Sequence, residues 1–302
     1  MAYDIKRLPS EASVDHDHEA SLHDIKRLPS EASVDHDHEA SLHDIKRLPS
    51  EASVDHDHEA SLHDIKISGI TKSFYNNGEM RQVLRPVNIL IPHGKFVSII
   101  GPSGCGKSTL FNIVAGLLPP TSGDITIGEK SILGEKGYVG YMLQKDNLFE
   151  WRSIYKNVML GLEINNKKTP ENIAYVNHLL EQYDLAEFKS ARPSQLSGGM
   201  RQRAALIRTL ALKPDILLLD EPFSALDYQT RLEVREDICN ILRSEKKTVI
   251  LVTHDISEAI AMTDRVLILT NRPASLLKTV DIKSRDTLST QKYFDEIREV
   301  LK

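Results

Sequence analysis

The sequence has little cysteine and no long apolar run, and each shortage excludes a class of protein. Cys105 and Cys239 are the only cysteines, too few for the disulfide framework of a small secreted fold, which favours a reducing cytosol. No uninterrupted apolar stretch approaches the roughly 20 residues that span a bilayer. The first residues also lack the basic-then-apolar pattern of a signal peptide. If the protein works at a membrane, we therefore expect other chains to do the spanning.

Exact repetition fills the first part of the chain. The segment Asp4–His23, DIKRLPSEASVDHDHEASLH, recurs without change at 24–43 and again at 44–63. Each copy offers only four sizeable apolar side chains, without helical or strand periodicity, which is too little apolar area to offset the entropic cost of ordering. We predict that residues 1–63 are a disordered acidic tract rather than a solenoid, and we interpret the tract as a tandem insertion.

The repeats dominate the charge of the chain. The net charge is −5; each copy carries five acidic and two basic residues, so the three copies account for −9 and the remainder for +4. A mildly basic body suits nucleotide phosphates but falls well short of a nucleic-acid-binding charge, so we expect no nucleic-acid partner. Each copy also holds a His-Asp-His triplet that can bind a divalent metal, although solvated low-complexity sequence is the favoured interpretation. The histidines are His16, His18, His36, His38, His56 and His58.

Strands and helices alternate through the rest of the chain. Predicted strands alternate with helices, and residues 145–213 are mainly helical. The strands at 216–219 and 249–252 are apolar throughout, as parallel strands buried on both faces should be. The predicted strands lie at 65–74, 83–91, 96–100, 216–219, 249–252 and 266–269. This order predicts an α/β fold with a helical subdomain.

A glycine-rich loop joins the strand at 96–100 to the next helix. Gly101-Pro-Ser-Gly-Cys-Gly-Lys-Ser-Thr109 contains the GxxxxGKS pattern in the strand–loop–helix context of a phosphate-binding loop. Glycines let backbone N–H groups point inward and bind phosphate oxygens at a helix N-terminus. We expect Lys107 to reach the β and γ phosphates of a nucleotide and the Ser108 hydroxyl to bind Mg²⁺.

Two adjacent carboxylates follow a second buried strand. In Ile216-Leu-Leu-Leu-Asp-Glu-Pro222, Asp220 emerges at the carboxyl end, where open α/β sheets bind ligands. Asp220 suits a Mg²⁺ contact, and Glu221 suits the general base that polarises an attacking water molecule. Together with the phosphate-binding loop, this strand predicts an ATPase.

With the segment Leu196-Ser-Gly-Gly-Met200, followed by Arg201-Gln-Arg203 and 17 residues later by Asp220, the chain resembles the ABC transporter ATPase family. The resemblance covers about residues 64–282. It implies a P-loop NTPase cassette with an antiparallel β subdomain and a helical subdomain, and a signature segment that contacts the γ-phosphate held by a second copy. Met200 departs from the family's usual glutamine, and we expect activity to survive because the backbone and Ser197 carry the contacts.

The resemblance also assigns roles to site residues. Gln144 is similar to the family's Q-loop glutamine, which senses Mg²⁺ and the attacking water, Asp227 to its D-loop aspartate, and His254 to its switch histidine. Phe74 resembles the aromatic residue that stacks on adenine, although Tyr75 adjoins it. The expected catalytic residues are Gln144, Glu221 and His254, and the expected metal ligands are Ser108, Gln144 and Asp220. The expected ATP-binding residues are Phe74, Gly101, Pro102, Ser103, Gly104, Cys105, Gly106, Lys107, Ser108, Thr109, Ser197, Gly198, Gly199 and Asp227.

Three segments indicate the kind of transporter. The aromatic stretch Asn147–Val158, with the only tryptophan, Trp151, predicts a groove for a membrane-subunit helix, with internal packing as the alternative. With Leu269-Thr-Asn-Arg-Pro273 and LSGGMRQR, it resembles the importer branch for nitrate, sulfonate, taurine or bicarbonate; importers of thiamine precursors look similar. Expected partners are a second copy, transmembrane permease subunits and, indirectly, an extracytoplasmic solute-binding protein. We expect the chain at the cytoplasmic face of the membrane.

Other ABC ATPases fit the sequence less well. A soluble ABC ATPase of ribosomes would carry two cassettes in one chain, and a chromosome or repair ATPase would carry a long coiled coil, whereas here there is one GKS and no heptads. Residues 283–302 predict a short amphipathic helix with Phe294, Ile297 and Leu301 on one face. We expect no regulatory domain in this part of the chain.

Overall fold

Two β-sheets organise the residues that the computed structural model describes, namely 63–76, 78–135, 138–224 and 226–302. The strands are β1 (Ile65–Asn76), β2 (Glu79–Ile91), β3 (Phe96–Ile100), β4 (Ser122–Ile127), β5 (Lys130–Ser131), β6 (Val139–Met142), β7 (Ile216–Asp220), β8 (Thr248–Val252), β9 (Arg265–Leu269) and β10 (Leu276–Asp281). The helices are α1 (Lys107–Val114), α2 (Ile154–Val158), α3 (Leu160–Ile164), α4 (Pro170–Gln182), α5 (Gly198–Leu210), α6 (Tyr228–Ser244), α7 (Ile256–Met262) and α8 (Thr287–Val300). The predicted repeat disorder and the histidine triplets lie outside the described residues.

The first sheet is antiparallel. Its four strands lie in the order β2-β1-β4-β5, with β1 and β2 joined through Gly78 at φ 84°, a backbone angle that glycine adopts without strain. Ile65, Ile67 and Ile70 of β1 are buried against the neighbouring layers. The predicted antiparallel β subdomain is confirmed.

The second sheet places the predicted site residues together. Its order is β10-β9-β3-β8-β7-β6, and every pairing is parallel except that of β10 with β9. All five residues of β3 and of β8 are buried, which explains their continuous apolar sequences. Because β3, β8 and β7 are neighbours, the loops after their carboxyl ends meet at one edge of the sheet.

Helices α2 to α5 form the region between β6 and β7. Each of α2, α4 and α5 begins with a hydroxyl cap: Ser153, Thr169 and Ser197 accept hydrogen bonds from backbone N–H groups of the first turn. Buried leucine, isoleucine and valine side chains of these helices join one cluster with β6 and β7. In the described part of the chain, none of the helices has the length and apolar character needed to cross a membrane.

The last helix packs on the outer part of the second sheet. Asp286 caps α8 by accepting a 2.9 Å hydrogen bond from the Ser289 N–H. Ile297 is buried, and Phe294 and Leu301 pack against the same cluster as β9 and α7. The amphipathic face predicted from the sequence is thus directed at the sheet.

Candidate nucleotide site

The phosphate-binding loop wraps around its own lysine. The Lys107 ammonium donates hydrogen bonds to the carbonyls of Gly101 and Pro102, at 2.8 and 3.0 Å. Gly104 and Gly106 have φ values of 71° and 131°, which side-chain-bearing residues rarely adopt. A Cβ on Gly106 would lie 2.9 Å from Cδ2 of Leu84, so this position also requires glycine for close packing against β2.

A pocket of about 280 Å³ opens beside this loop. Half of the predicted ATP-binding residues line it, and they include Phe74 but not Tyr75, which supports Phe74 as the aromatic residue of the site. The lining is formed by Phe74, Val83, Ser103, Gly104, Gly106, Lys107, Ser108, Thr109, Glu221, Val252 and Arg272. Gly101, Pro102 and Cys105 lie in the same loop behind this lining, and the Cys105 thiol is buried in the core.

The three predicted catalytic side chains meet at Glu221. Nε2 of Gln144 donates to Oε2 of Glu221 at 3.2 Å, and Nδ1 of His254 lies 3.3 Å from Oε1 of the same carboxylate. Gln144 also donates to the Ser224 hydroxyl at 3.1 Å. A general base needs such an orienting environment at the edge of the substrate pocket, so this geometry fits the hydrolysis of a phosphoanhydride.

Glu221 itself has an unusual backbone. Its φ is 45°, in the left-handed region that costs a side-chain-bearing residue about 1 kcal/mol or more. Its N–H donates a 2.8 Å hydrogen bond to the Val252 carbonyl at the end of β8, which holds the turn in place. The strand end therefore turns sharply at the residue that contacts both Gln144 and His254.

Asp220 is held by a tyrosine that sequence reasoning missed. The Tyr141 hydroxyl donates to Oδ2 of Asp220 at 3.1 Å. Burial raises the pKa of Asp220 above its ordinary value, and Glu221 adds to this, while the Tyr141 hydrogen bond and the charge of Lys107 oppose it. Tyr141 lies in β6 beside β7, so a prediction of strand pairing would have been needed to find it.

Oxygen donors at this edge of the sheet fit Mg²⁺. Mg²⁺ takes one or two protein oxygens and completes its shell with water and substrate phosphates. Ser108 supplies a hydroxyl in the pocket, and Asp220 supplies a half-buried carboxylate at the end of β7. Within the described ranges there is no cluster of three or more acidic, histidine or cysteine side chains, so the site does not resemble an all-protein metal cage.

The signature segment lies apart from the pocket lining. Ser197 caps α5 by accepting a 3.3 Å hydrogen bond from the Met200 N–H, and the Met200 side chain packs against the helical cluster. A Cβ on Gly199 would lie 2.7 Å from Cγ2 of Val234, so α5 and α6 approach closely here. Ser197, Gly198 and Gly199 are absent from the pocket lining, as is Asp227, which caps α6.

A polar link joins the signature helix to the segment after Gln144. Nε of Arg201 donates to Oδ2 of Asp146 at 3.1 Å, and another Arg201 nitrogen donates to the Leu196 carbonyl at 2.8 Å. Arg208 donates to the carbonyls of Asp146 and Asn147 at 2.6 and 2.7 Å. The signature helix α5 and the segment after Gln144, for which contacts with other subunits are predicted, are therefore joined by hydrogen bonds.

Comparison with known proteins agrees with this site. Residues 84–224 match the family described as ABC transporter. The chain is 44% identical over 210 residues to the uncharacterized ABC transporter ATP-binding protein YtlC of Bacillus subtilis, covering 70% of this chain and 81% of YtlC. It is 39% identical over 232 residues to the taurine import ATP-binding protein TauB of Jannaschia sp., covering 74% of this chain and 86% of TauB.

A solved structure agrees in fold and chemistry. The dimeric post-hydrolysis state of the ATP-binding cassette MJ0796, bound to ADP and phosphate, has a TM-score of 0.62 and 30% identity, covering 73% of this chain and all of that one. The predicted cassette fold and the resemblance to the importer branch are confirmed. With the phosphate-binding loop and the Gln144–Glu221–His254 arrangement in place, the chain belongs to the ABC transporter ATP-binding proteins and is an ATP hydrolase.

Proposed function

We propose that this chain powers an ABC importer by hydrolysing ATP between two copies of itself. The observation that carries the proposal is the Glu221 carboxylate, which contacts Gln144 and His254 beside the phosphate-binding loop. Glu221 accepts a proton from water as the water oxygen bonds to the γ-phosphorus. The bond from that phosphorus to the bridging oxygen breaks, which yields ADP and phosphate. Mg²⁺ bound through Ser108, Asp220 and Gln144 would neutralise developing phosphate charge.

The remaining residues of the proposed site bind and orient the substrate. Phe74 stacks on the base, with a contribution on the order of 1 kcal/mol. Lys107 turns from the loop carbonyls to the phosphates, and backbone N–H groups of the loop complete the binding of phosphate oxygens. Ser197, Gly198, Gly199 and Asp227 do not line the pocket, which supports the idea that they act on the nucleotide of the partner copy.

An aromatic surface supports a permease partner. Trp151 is 72% exposed and its ring stacks on Phe149 with the ring centroids 4.8 Å apart, so most of its surface is open to a partner. Buried Asn157 fixes the Phe149 backbone, accepting from its N–H at 2.7 Å and donating to its carbonyl at 3.1 Å. An exposed tryptophan supported by a half-buried phenylalanine whose backbone is held in place fits an apolar groove for a helix of a membrane-spanning subunit.

In this proposal the solute is nitrate, sulfonate, taurine or bicarbonate, with a thiamine precursor as the alternative. The similarity to a taurine import ATP-binding protein supports this choice. The support comes from family association alone, because the ATPase itself does not touch the solute. In this proposal a solute-binding protein delivers the solute outside, and the chain lies on the cytoplasmic face of the membrane.

The proposed domain boundaries follow the sequence prediction. Residues 64–282 form the ATPase domain, with its helical subdomain at about 145–213, and residues 283–302 carry the short C-terminal helix.

Photo-crosslinking tests the permease contact. A photoreactive residue at position 151 should capture a membrane-spanning protein in the native membrane, and mass spectrometry would identify it. The same residue at Leu288, which is 84% exposed on α8, is the matched control. Capture of such a protein from 288 and not from 151 would contradict the proposed docking surface. Uptake of labelled taurine, nitrate, bicarbonate and a thiamine precursor, compared between wild-type cells and Lys107→Ala cells, then identifies the solute.

A further inference from the structure

The loop between β9 and β10 contains an arginine whose position the proposed function does not explain. The segment Thr270-Asn-Arg-Pro273 indicated only a branch of the family from the sequence. In the structure Arg272 lines the nucleotide pocket together with Phe74 and Ser103. A residue far along the chain thus reaches the pocket formed by β1 and the phosphate-binding loop.

Backbone hydrogen bonds fix this loop on strand β2. The Ala274 N–H donates to the Val83 carbonyl at 2.8 Å, and the Arg85 N–H donates to the Ala274 carbonyl at 2.8 Å. Inside the loop, the Ser275 N–H donates to the Thr270 hydroxyl at 2.9 Å. The backbone that carries Arg272 is therefore held in place, which lowers the entropic cost of using this side chain for binding.

The other side of the loop adjoins the phosphate-binding loop. A Cβ on Gly101 would lie 3.1 Å from the Leu269 carbonyl, so the two segments are in close contact where both begin. Pro102 and Arg272 also line a neighbouring cavity together. Arg272 is consequently positioned beside the residues that start the phosphate-binding loop.

The guanidinium of Arg272 is available to a ligand. The side chain is exposed, and among the described residues it forms no hydrogen bond or ion pair. Arg265 of the adjacent strand is different, because its Nε donates to Asp281 at 2.6 Å. An arginine presents a planar set of N–H donors that matches phosphate oxygens, and such charge-assisted bonds are about twice as strong as neutral ones.

We propose that Arg272 is an additional nucleotide-binding residue whose guanidinium binds the phosphate oxygens of ATP and ADP. This inference rests on the proposed nucleotide site. It gives the Thr270-Asn-Arg-Pro273 segment a direct role in substrate affinity. The β9–β10 loop then acts together with the phosphate-binding loop on the same anionic part of the nucleotide.

Equilibrium binding measured by displacement of a fluorescent ATP analogue tests the proposal. Arg272→Gln should weaken ATP and ADP binding about tenfold, Arg272→Lys less, and neither should change the affinity for adenosine. Arg85→Gln is the matched control, because it removes the same charge from a residue that lines the neighbouring cavity but not the nucleotide pocket. This control should bind ATP as the wild type does.

Two results would overturn the role of Arg272. The first is an ATP affinity of Arg272→Gln equal to that of Arg85→Gln. The second is a loss of adenosine affinity in Arg272→Gln as large as the loss of ATP affinity, which would indicate contact with the base. Lys107→Ala separates this inference from the proposed site. If Lys107→Ala abolishes binding while Arg272→Gln does not weaken it, only the Arg272 proposal fails, whereas unchanged binding by Lys107→Ala would remove the pocket assignment itself.

Discussion

Oε1 of Glu221 lies 3.3 Å from Nδ1 of His254, so side chains that follow the neighbouring strands β7 and β8 meet at the edge of the nucleotide pocket. Gln144 approaches the other oxygen of the same carboxylate at 3.2 Å. Glu221 has a left-handed backbone at this position, and the hydrogen bond from its N–H to the Val252 carbonyl stabilises it. Strain at one residue thus accompanies the assembly of three predicted catalytic groups.

Glu221→Gln is expected to keep both contacts but to remove the proton acceptor. Hydrolysis should fall by about a hundredfold or more, while ATP binding is retained. The variant should accumulate as an ATP-bound dimer, which size-exclusion chromatography with ATP would detect. Adding Lys107→Ala to the same variant should prevent that dimer, and near-normal turnover by Glu221→Gln would exclude Glu221 as the base.

Asp220→Asn should separate stability from activity. Because burial raises the pKa of Asp220, the charged form destabilises the folded state at every pH above the ordinary value of 3.8. A neutral amide in the same place should therefore raise the melting temperature at neutral pH, while Mg²⁺-dependent hydrolysis is lost. A lower melting temperature would show that the Tyr141 hydrogen bond and the charge of Lys107 outweigh the cost of burying the Asp220 carboxylate.

Glu258 should make stability depend on pH near neutrality. Burial raises the pKa of Glu258 to about 7, with the Thr253 hydrogen bond lowering it, Asp255 raising it and Arg231 and Arg235 lowering it. The folded carboxyl holds its proton more tightly than the unfolded one, so its contribution to stability is complete below 4.5 and is lost as the pH rises through about 7.

Glu258→Gln should remove this part of the pH dependence. Its amide oxygen can still accept the hydrogen bond that the Thr253 hydroxyl donates at 2.9 Å. The change in melting temperature between about pH 5 and about pH 8 should be smaller than in the wild type. An identical change in both proteins would show that Glu258 does not titrate in this range.

Adjacent glycines of the signature segment should respond differently to alanine. In Gly199→Ala the new methyl group would lie 2.7 Å from the branched Val234 side chain on α6, and overpacking of this kind costs about 1–3 kcal/mol. In Gly198→Ala it would lie 3.0 Å from the end of the Leu226 side chain, which can move. Thermal unfolding should therefore show a clear loss for Gly199→Ala only, and equal losses would contradict the packing argument.

Much of the site could be predicted from local sequence. The phosphate-binding loop is a contiguous strand–loop–helix pattern that is recognisable alone. Asp220 and Glu221 come at the end of an apolar strand, and their assignment depends on that strand together with the upstream loop. Parallel pairing of β3, β8 and β7 explains why these separate patterns meet at one edge. The role of His254 came from the family resemblance, and its position two residues after β8 brings it to the same edge.

Long-range contacts account for what was missed. Tyr141 is 79 residues from Asp220, and no local pattern distinguishes its hydroxyl from that of any tyrosine near a strand end. Arg272 reaches the pocket only because Ala274 bonds to Val83 and Arg85 across the fold. The polar link between Asp146 and Arg201 likewise spans 55 residues. Such contacts depend on side-chain geometry that strand and helix patterns do not contain.

Mixing two inactive variants tests most directly whether two copies of the chain complete each other's sites. Lys107→Ala removes the phosphate-binding lysine, and Ser197→Arg blocks the signature segment, so neither variant alone should hydrolyse ATP. A mixed dimer contains one site with an intact Lys107 from one copy and an intact Ser197 from the other. We expect mixing to restore a substantial part of the hydrolysis rate. If the mixture stays as inactive as the separate variants, although mixed dimers form, the shared site is contradicted.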